Sequence, residues 1–322
     1  NMGKTHRIAA LRAGLRAAGV EGYISLSPPA NAYLTGFLGS TSAVIVTQEE
    51  ARFLCDFRYG EIASSQVSDF SVSVVSGKLE ARTGEALKVL GIANAGFDPG
   101  VTTVQQHSAL SEAFGGELVP LPDLLDGLRA VKDAEELQLI REASELAEQV
   151  LHSVKSELKE RVTEREIAAQ IGYELQRNGA EKVSFDPIVL FGERSSLPHG
   201  VPGDRPLQMG DIVLIDMGCR RAGYCSDLTR TYVFGRISAA WFEDIYKVTL
   251  RAQECALRAL RGGATAREVD AVARALIEEA GYGTNFGHGL GHGVGLEVHE
   301  SIRLNAQSNQ VLTPGMVVTI EP

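Results

Sequence analysis

Three of the seven histidines, His288, His292 and His299, fall within one glycine-studded run, NFGHGLGHGVGLEVHE. His288 and His292 stand four apart, the spacing that puts two metal ligands on one face of a helix. Here Gly287, Gly289, Gly291, Gly293 and Gly295 surround them, and each interior glycine costs a helix about 1 kcal/mol. The pattern therefore predicts an irregular strand, or a segment whose backbone comes close to something, in place of a helix. A phosphate-cradling loop is the other common use of such a run. No Gly-Lys-Ser/Thr follows it, however, and no basic residue lies between His288 and Glu300. Three imidazoles in one segment, with His299 next to Glu300, favour a metal or catalytic site over three separate structural histidines.

Carboxylates end or begin apolar strands elsewhere. Asp216 ends DIVLID and Asp227 opens DLTRTYVF, with the turn-like CRRAGYCS between them. A hairpin centred between Arg221 and Ala222 sets Asp216 directly opposite Asp227, with both side chains on one face. Two facing aspartates repel, so a stable fold wants a cation between them or a raised pKa. The same register sends Cys219 and Cys225 to opposite faces, which disfavours a disulfide between them. Glu321 ends LTPGMVVTIE, with Thr319 and Val317 on its face. Asp216, Asp227, Glu321 and His292 form an oxygen-rich donor set with one nitrogen. Such a set suits manganese, cobalt, iron or zinc, and paired acids suit two ions.

The elements that position these residues repeat. VTEREIAAQIGYELQRNGA opens with Thr163 and Glu166 as a capping box and closes at Gly179, and ATAREVDAVARALIEEAGY does the same with Thr265, Glu268 and Gly281, each displaced by 102. Gly210 precedes Asp216 by six residues, as Gly315 precedes Glu321, an offset of 105. Two helix-then-strand units with an acid at the same strand position predict a domain with an internal pseudo-twofold. Ahead of it, short apolar strands (GYISLS, SAVIVT, RFLCD, NAGFD) alternate with helices up to Pro122, which reads as a mixed α/β domain. A long amphipathic helix from Asp133 to Leu158 follows. The expected division is residues 1–125 and 126–322.

At 322 residues the chain is long enough for two full cores. Its 41 acidic and 31 basic residues, net −10, argue against nucleic-acid or anionic-membrane partners, both of which need a basic footprint. No apolar stretch reaches the length of a membrane span. Lys4, Arg7, Arg12 and Arg16 faintly resemble a transit peptide, but the Ile8, Leu11, Leu15 spacing reads as the first helix of the fold. Asn1 ahead of Met2 reads as a cloning remnant. Cys55, Cys219, Cys225 and Cys255 contain no CxxC pair, which points to a reducing, cytoplasmic setting.

Together, IDMG with Asp216, SDLTRT with Asp227, FGHGLGHGVGLEVHE with its three histidines, and LTPGMVVTIEP with Glu321 resemble the pita-bread metallopeptidases of family M24, specifically the proline-directed branch of prolidase and aminopeptidase P. The resemblance extends to NAYLTGF and CDFRY in the first domain and to LRAVKDAEELQLIREA at the junction. It implies an α/β (α+β) fold, with a creatinase-like N-terminal α/β domain followed by a pseudo-twofold pita-bread catalytic domain. It implies two divalent ions, manganese first among the candidates, held by Asp216, Asp227, His292 and Glu321. Glu321 doubles as the base, His299 and His199 contact the scissile region, and His288 lines the pocket. The implied substrates are short peptides with proline at the second position, and the implied assembly is a homodimer. The family pattern also carries a second bridging glutamate beyond the Glu321–Pro322 step, so the expected catalytic domain lacks its last strands. A methionine aminopeptidase, a creatinase-like amidinohydrolase and a non-catalytic peptide-binding protein on the same fold are the rivals. The first has no use for so large a preceding domain, and the intact ligand set disfavours the other two.

Overall fold

The computed structural model of the chain describes residues 2–236 and 239–322. Asn1 lies outside them. The chain divides into two compact units, one ending at Arg129 and one running from Ala130 to Pro322.

The first unit contains α1 (Met2–Ala18), β1 (Gly22–Ser25), α2 (Pro28–Thr35), β2 (Ser42–Thr47), β3 (Ala51–Cys55) and α3 (Gly60–Gln66). It continues with β4 (Ser71–Val74), α4 (Leu79–Leu90), β5 (Asn94–Phe97), α5 (Val104–Phe114), β6 (Glu117–Pro120) and α6 (Leu124–Ala130). The strands form one sheet in the order β4-β3-β2-β1-β5-β6, antiparallel from β1 through β3 and parallel at both flanks. Every residue of β1 and β2 is buried, as expected for central strands covered on both faces. Ile8, Leu11 and Leu15 form the buried stripe of α1, in keeping with their helical spacing.

The second unit opens with α7 (Ala134–Ser156), capped by Asp133 and Glu136. Its first half then runs α8 (Glu164–Arg177), β7 (Lys182–Val183), β8 (Ile188–Phe191), a 3-10 turn (Gly192–Ser196), β9 (Ile212–Met217), β10 (Cys219–Arg221), β11 (Tyr224–Cys225) and β12 (Leu228–Val233). The second half runs α9 (Ala240–Ala259), α10 (Ala266–Glu279), β13 (Gly291–Gly293) and β14 (Glu300–Leu304). Each half has its own apolar core. Leu146, Val150, Ile167 and Ile171 pack with Ile215 in the first, and Val269, Ala273, Leu290 and Ile302 pack together in the second.

The repeat is present down to single hydrogen bonds. Both α8 and α10 are fourteen residues long with complete capping boxes, from Thr163 with Glu166 and from Thr265 with Glu268. Leu207 N–H donates to the Val162 carbonyl in one half, and Leu312 N–H to the Ala264 carbonyl in the other. Asp216 pairs with Ile188 on β8, and Glu321 N–H donates to the Leu290 carbonyl at 2.8 Å. Ile188 and Leu290 differ by 102 and Asp216 and Glu321 by 105, so the strand register repeats along with the sequence. One expectation is modified: the segment ending at Glu321 runs extended beside β13 through the Gly293↔Val318 bridge and backbone hydrogen bonds, without forming a continuous strand ladder.

Candidate metal centre

The first carboxylate pair hangs from the β9–β12 hairpin, whose register corrects the sequence reading. Thr229, not Asp227, stands opposite Asp216. The turn is centred one residue later than expected, between Ala222 and Gly223, which carry φ of 47° and 86°. A two-residue hairpin turn of this hand needs positive φ at both central residues, so the glycine is drawn into it. The resulting shift is two residues, and side chains alternate with period two. Asp227 therefore keeps to the face of Asp216 but as a diagonal neighbour. Cys219 and Cys225 still face opposite ways, and both are free thiols.

β13 supplies the nitrogen. His292 Nε2 lies 3.0 Å from Glu321 Oε1 and 3.4 Å from Asp227 Oδ2. Its Nδ1 is 3.0 Å from the Gly293 carbonyl, which can only accept, so Nε2 is the nitrogen turned to the acids. Ligand atoms of Asp227, His292 and Glu321 all lie within 4.8 Å of one another. Thr319 fixes this corner: its hydroxyl donates to Glu321 Oε1 at 2.6 Å and accepts from His292 N–H at 3.0 Å. The glycine run permits the approach. A Cβ on Gly291 would sit 2.0 Å from the Thr319 carbonyl oxygen.

The electrostatics are those of a site short of positive charge. Burial, and then the Asp227 carboxylate, push Asp216 up to about 7. Asp216 Oδ1 is buried with no hydrogen-bond partner. Burial disfavours a charged His292, but Asp227 and Glu321 outweigh it and raise the imidazole to about 10. Burial likewise raises Glu321, and His292 and Thr319 overcome it to bring the carboxyl below its ordinary value. A charged imidazole thus offsets the repulsion between Asp227 and Glu321. An orphaned carboxylate oxygen beside three converging donors fits a divalent cation. Asp227, His292 and Glu321 offer ligand atoms that could hold it, and Asp216 lies near enough to interact electrostatically with all three.

The remaining histidines are distributed around this cluster. The His299 ring centroid is 4.2 Å from that of His292, and burial followed by the charge on His292 lowers its pKa. His288 is exposed at the edge, near enough to Glu321 to help lower its pKa. His199 is exposed in the turn after the Gly192–Ser196 helix, and no contact among the described residues ties it to the cluster. Sequence reading passed over Thr229 as a partner of Asp216. The alternation of SDLTRT placed it on the right face, but the register depended on the turn.

Comparison with known proteins follows the same division. Residues 138–322 match metallopeptidase family M24, and residues 7–131 match the creatinase/prolidase N-terminal domain. The Bacillus subtilis uncharacterized peptidase YqhT is 37% identical over 305 residues, 94% of this chain and 86% of that protein. The Xaa-Pro dipeptidase of Pyrococcus furiosus is 42% identical over 206 residues, covering 64% of this chain and 59% of that enzyme. The solved structure of an Xaa-Pro dipeptidase from Bacillus anthracis superposes with a TM-score of 0.95 at 36% identity, covering 99% of this chain and 90% of that one.

Proposed function

The chain belongs to metallopeptidase family M24, with a creatinase-like N-terminal domain and a pita-bread catalytic domain, and from this we propose that it hydrolyses the peptide bond preceding proline in Xaa-Pro dipeptides. The observation that carries the reading is the convergence of Asp227, His292 and Glu321 beside the partly orphaned Asp216. Two divalent cations, manganese first, would have these four residues among their ligands and would supply Lewis acidity for activating water and polarising a carbonyl. A dimeric assembly and a cytoplasmic setting belong to the same proposal.

The chain's own groups have separable tasks. Thr319 holds one oxygen of Glu321, leaving the other to accept a proton from water and return it to the prolyl nitrogen. That nitrogen is tertiary, so it leaves only once protonated. His299, whose pKa is lowered by burial and then by the charge on His292, would hydrogen-bond the scissile carbonyl. His288 lines the edge, and His199 on its exposed turn is assigned to the proline side of the substrate.

The test uses purified protein stripped with a chelator and then supplied with manganese. Metal-stimulated cleavage of Xaa-Pro dipeptides is expected, lost on His292→Ala. No stimulated cleavage, or creatine hydrolysis without metal, would overturn the reading.

A further inference from the structure

The segment from Phe286 to Leu290 delivers His288 and leads into β13, yet it belongs to no helix or strand. It is gripped from α10 by one acid and one arginine, four residues apart. Asp270 is fully buried and takes Arg274 in bidentate fashion, Nε to Oδ2 at 2.8 Å and an Nη to Oδ1 at 3.0 Å. The same guanidinium donates to the Phe286 carbonyl at 2.9 Å and the His288 carbonyl at 2.8 Å. Its Cζ lies 4.3 Å from the centroid of the Phe286 ring. Asp270 Oδ1 also accepts from Leu290 N–H at 3.1 Å, a donor it shares with the Leu304 carbonyl.

An acid and an arginine one helical turn apart usually form a solvated surface pair that contributes little. This pair is different because its remaining donors go to the carbonyls of an irregular segment that leads directly into the metal-ligand strand. Arginine alone has a planar fork that can grip a carboxylate on one side and two carbonyls on the other.

We propose that Asp270 and Arg274 are positioning residues that clasp Phe286–Leu290 and hold His288 at the edge of the metal centre. The inference rests on the peptidase reading for its kinetic consequence but not for the clasp itself. In the first half, the fully buried Glu164 grips Arg194, Phe191 N–H and Gly203 N–H across the loop that bears His199. Each half therefore ties down its histidine-bearing loop from its capped helix, though from a different helical position.

Arg274→Met and Arg274→Lys, each alone and combined with His288→Ala, test the proposal. Hydrogen exchange followed by mass spectrometry reads the clasp without any substrate. Arg274→Met is expected to speed exchange in a peptide covering 286–291 while peptides of α7 and α8 keep their protection. For Xaa-Pro cleavage, kcat/KM should fall roughly tenfold to a hundredfold, mostly in kcat. The double variant with His288→Ala should be no slower than His288→Ala alone, because Arg274 acts through that histidine. Arg274→Lys keeps the charge but not the fork, should fall between, and carries the same comparisons if the methionine variant does not fold. Unchanged exchange in 286–291, or losses that simply add in the double variant, would overturn the clasp. A wild-type protein that cleaves no Xaa-Pro peptide defeats the functional reading, while the exchange data still decide the clasp.

Discussion

Lys132 and Glu300 form the chain's sharpest stability test. Lys132 Nζ lies 2.8 Å from Glu300 Oε2, and the two side chains are only 1% and 5% exposed. Glu300 follows His299 directly, and Lys132 N–H donates to the Gly315 carbonyl at 2.9 Å, on the segment that leads to Glu321. Removing one partner of a buried pair strands the other charge away from water, which costs about 3–5 kcal/mol. For a unit of this size, about 1 kcal/mol moves Tm by roughly 2–4 °C, so Lys132→Met should lower the second unit's transition by roughly 6–20 °C. Adding Glu300→Gln removes the stranded charge while keeping a polar group for its other contacts, and more than half of the loss should return. The exposed Lys247–Glu243 pair, 67% and 69% accessible, is the control, and Lys247→Met should leave the transition in place. Scanning calorimetry on the four proteins decides it. A Lys132→Met variant no less stable than the control, or a double variant as unstable as the single one, would refute the argument.

Other outcomes follow from single contacts. Thr163→Ala and Thr265→Ala each remove a capping oxygen at equivalent positions, so each should cost about 1 kcal/mol in urea unfolding and the two losses should add. Asp211 is raised by burial, but the Arg205 guanidinium overrides this and depresses it below its ordinary 3.8. A depressed carboxylate stabilises above its unfolded pKa and loses that stabilisation as pH falls through the folded one. Arg205→Met should therefore flatten the acid limb of a stability–pH profile below about pH 4, with little change in its slope near neutrality. Thr319→Val keeps the volume but takes the donor from Glu321 and the acceptor from His292 N–H. Manganese affinity by calorimetry should drop roughly tenfold to a hundredfold, and Thr319→Ser should retain most of it.

Much of the fold and of the donor set was legible because it rests on local signals. Capping boxes announce helix starts, and alternation assigns a face. Glycine density excluded a helix at His288 and His292, and β13 is indeed a short, bulged strand. Register was less accessible. The Asp216 partner depended on which two residues adopt positive φ, and Ala222 gives no local hint that it does so. The buried ion pairs were not legible at all. Asp270 and Arg274 look in sequence like any exposed helix pair, and Lys132 and Glu300 are 168 residues apart. Burial gives these charges their meaning, and burial of a charge is set by tertiary packing that no local pattern records.

The two halves share a backbone but not a chemistry, and the difference explains the glycines. At the registers equivalent to His292 and Thr319 the first half has Leu190 paired with Leu214. That rung is apolar, so the first half contributes acids, Asp216 and Asp227, but no imidazole. The neighbours differ in step: Val189 and Phe191, both fully buried in the first core, stand where the second half has Gly291 and Gly293. A side chain at Gly291 would strike the Thr319 carbonyl, so the close approach that lets Thr319 hold both His292 and Glu321 requires the bulk of the first half to be absent. Duplication of the strand register accounts for two acids at matching places. The imidazole that bridges Glu321 to Asp227 needs the small residues beside it, and the asymmetric site is the consequence.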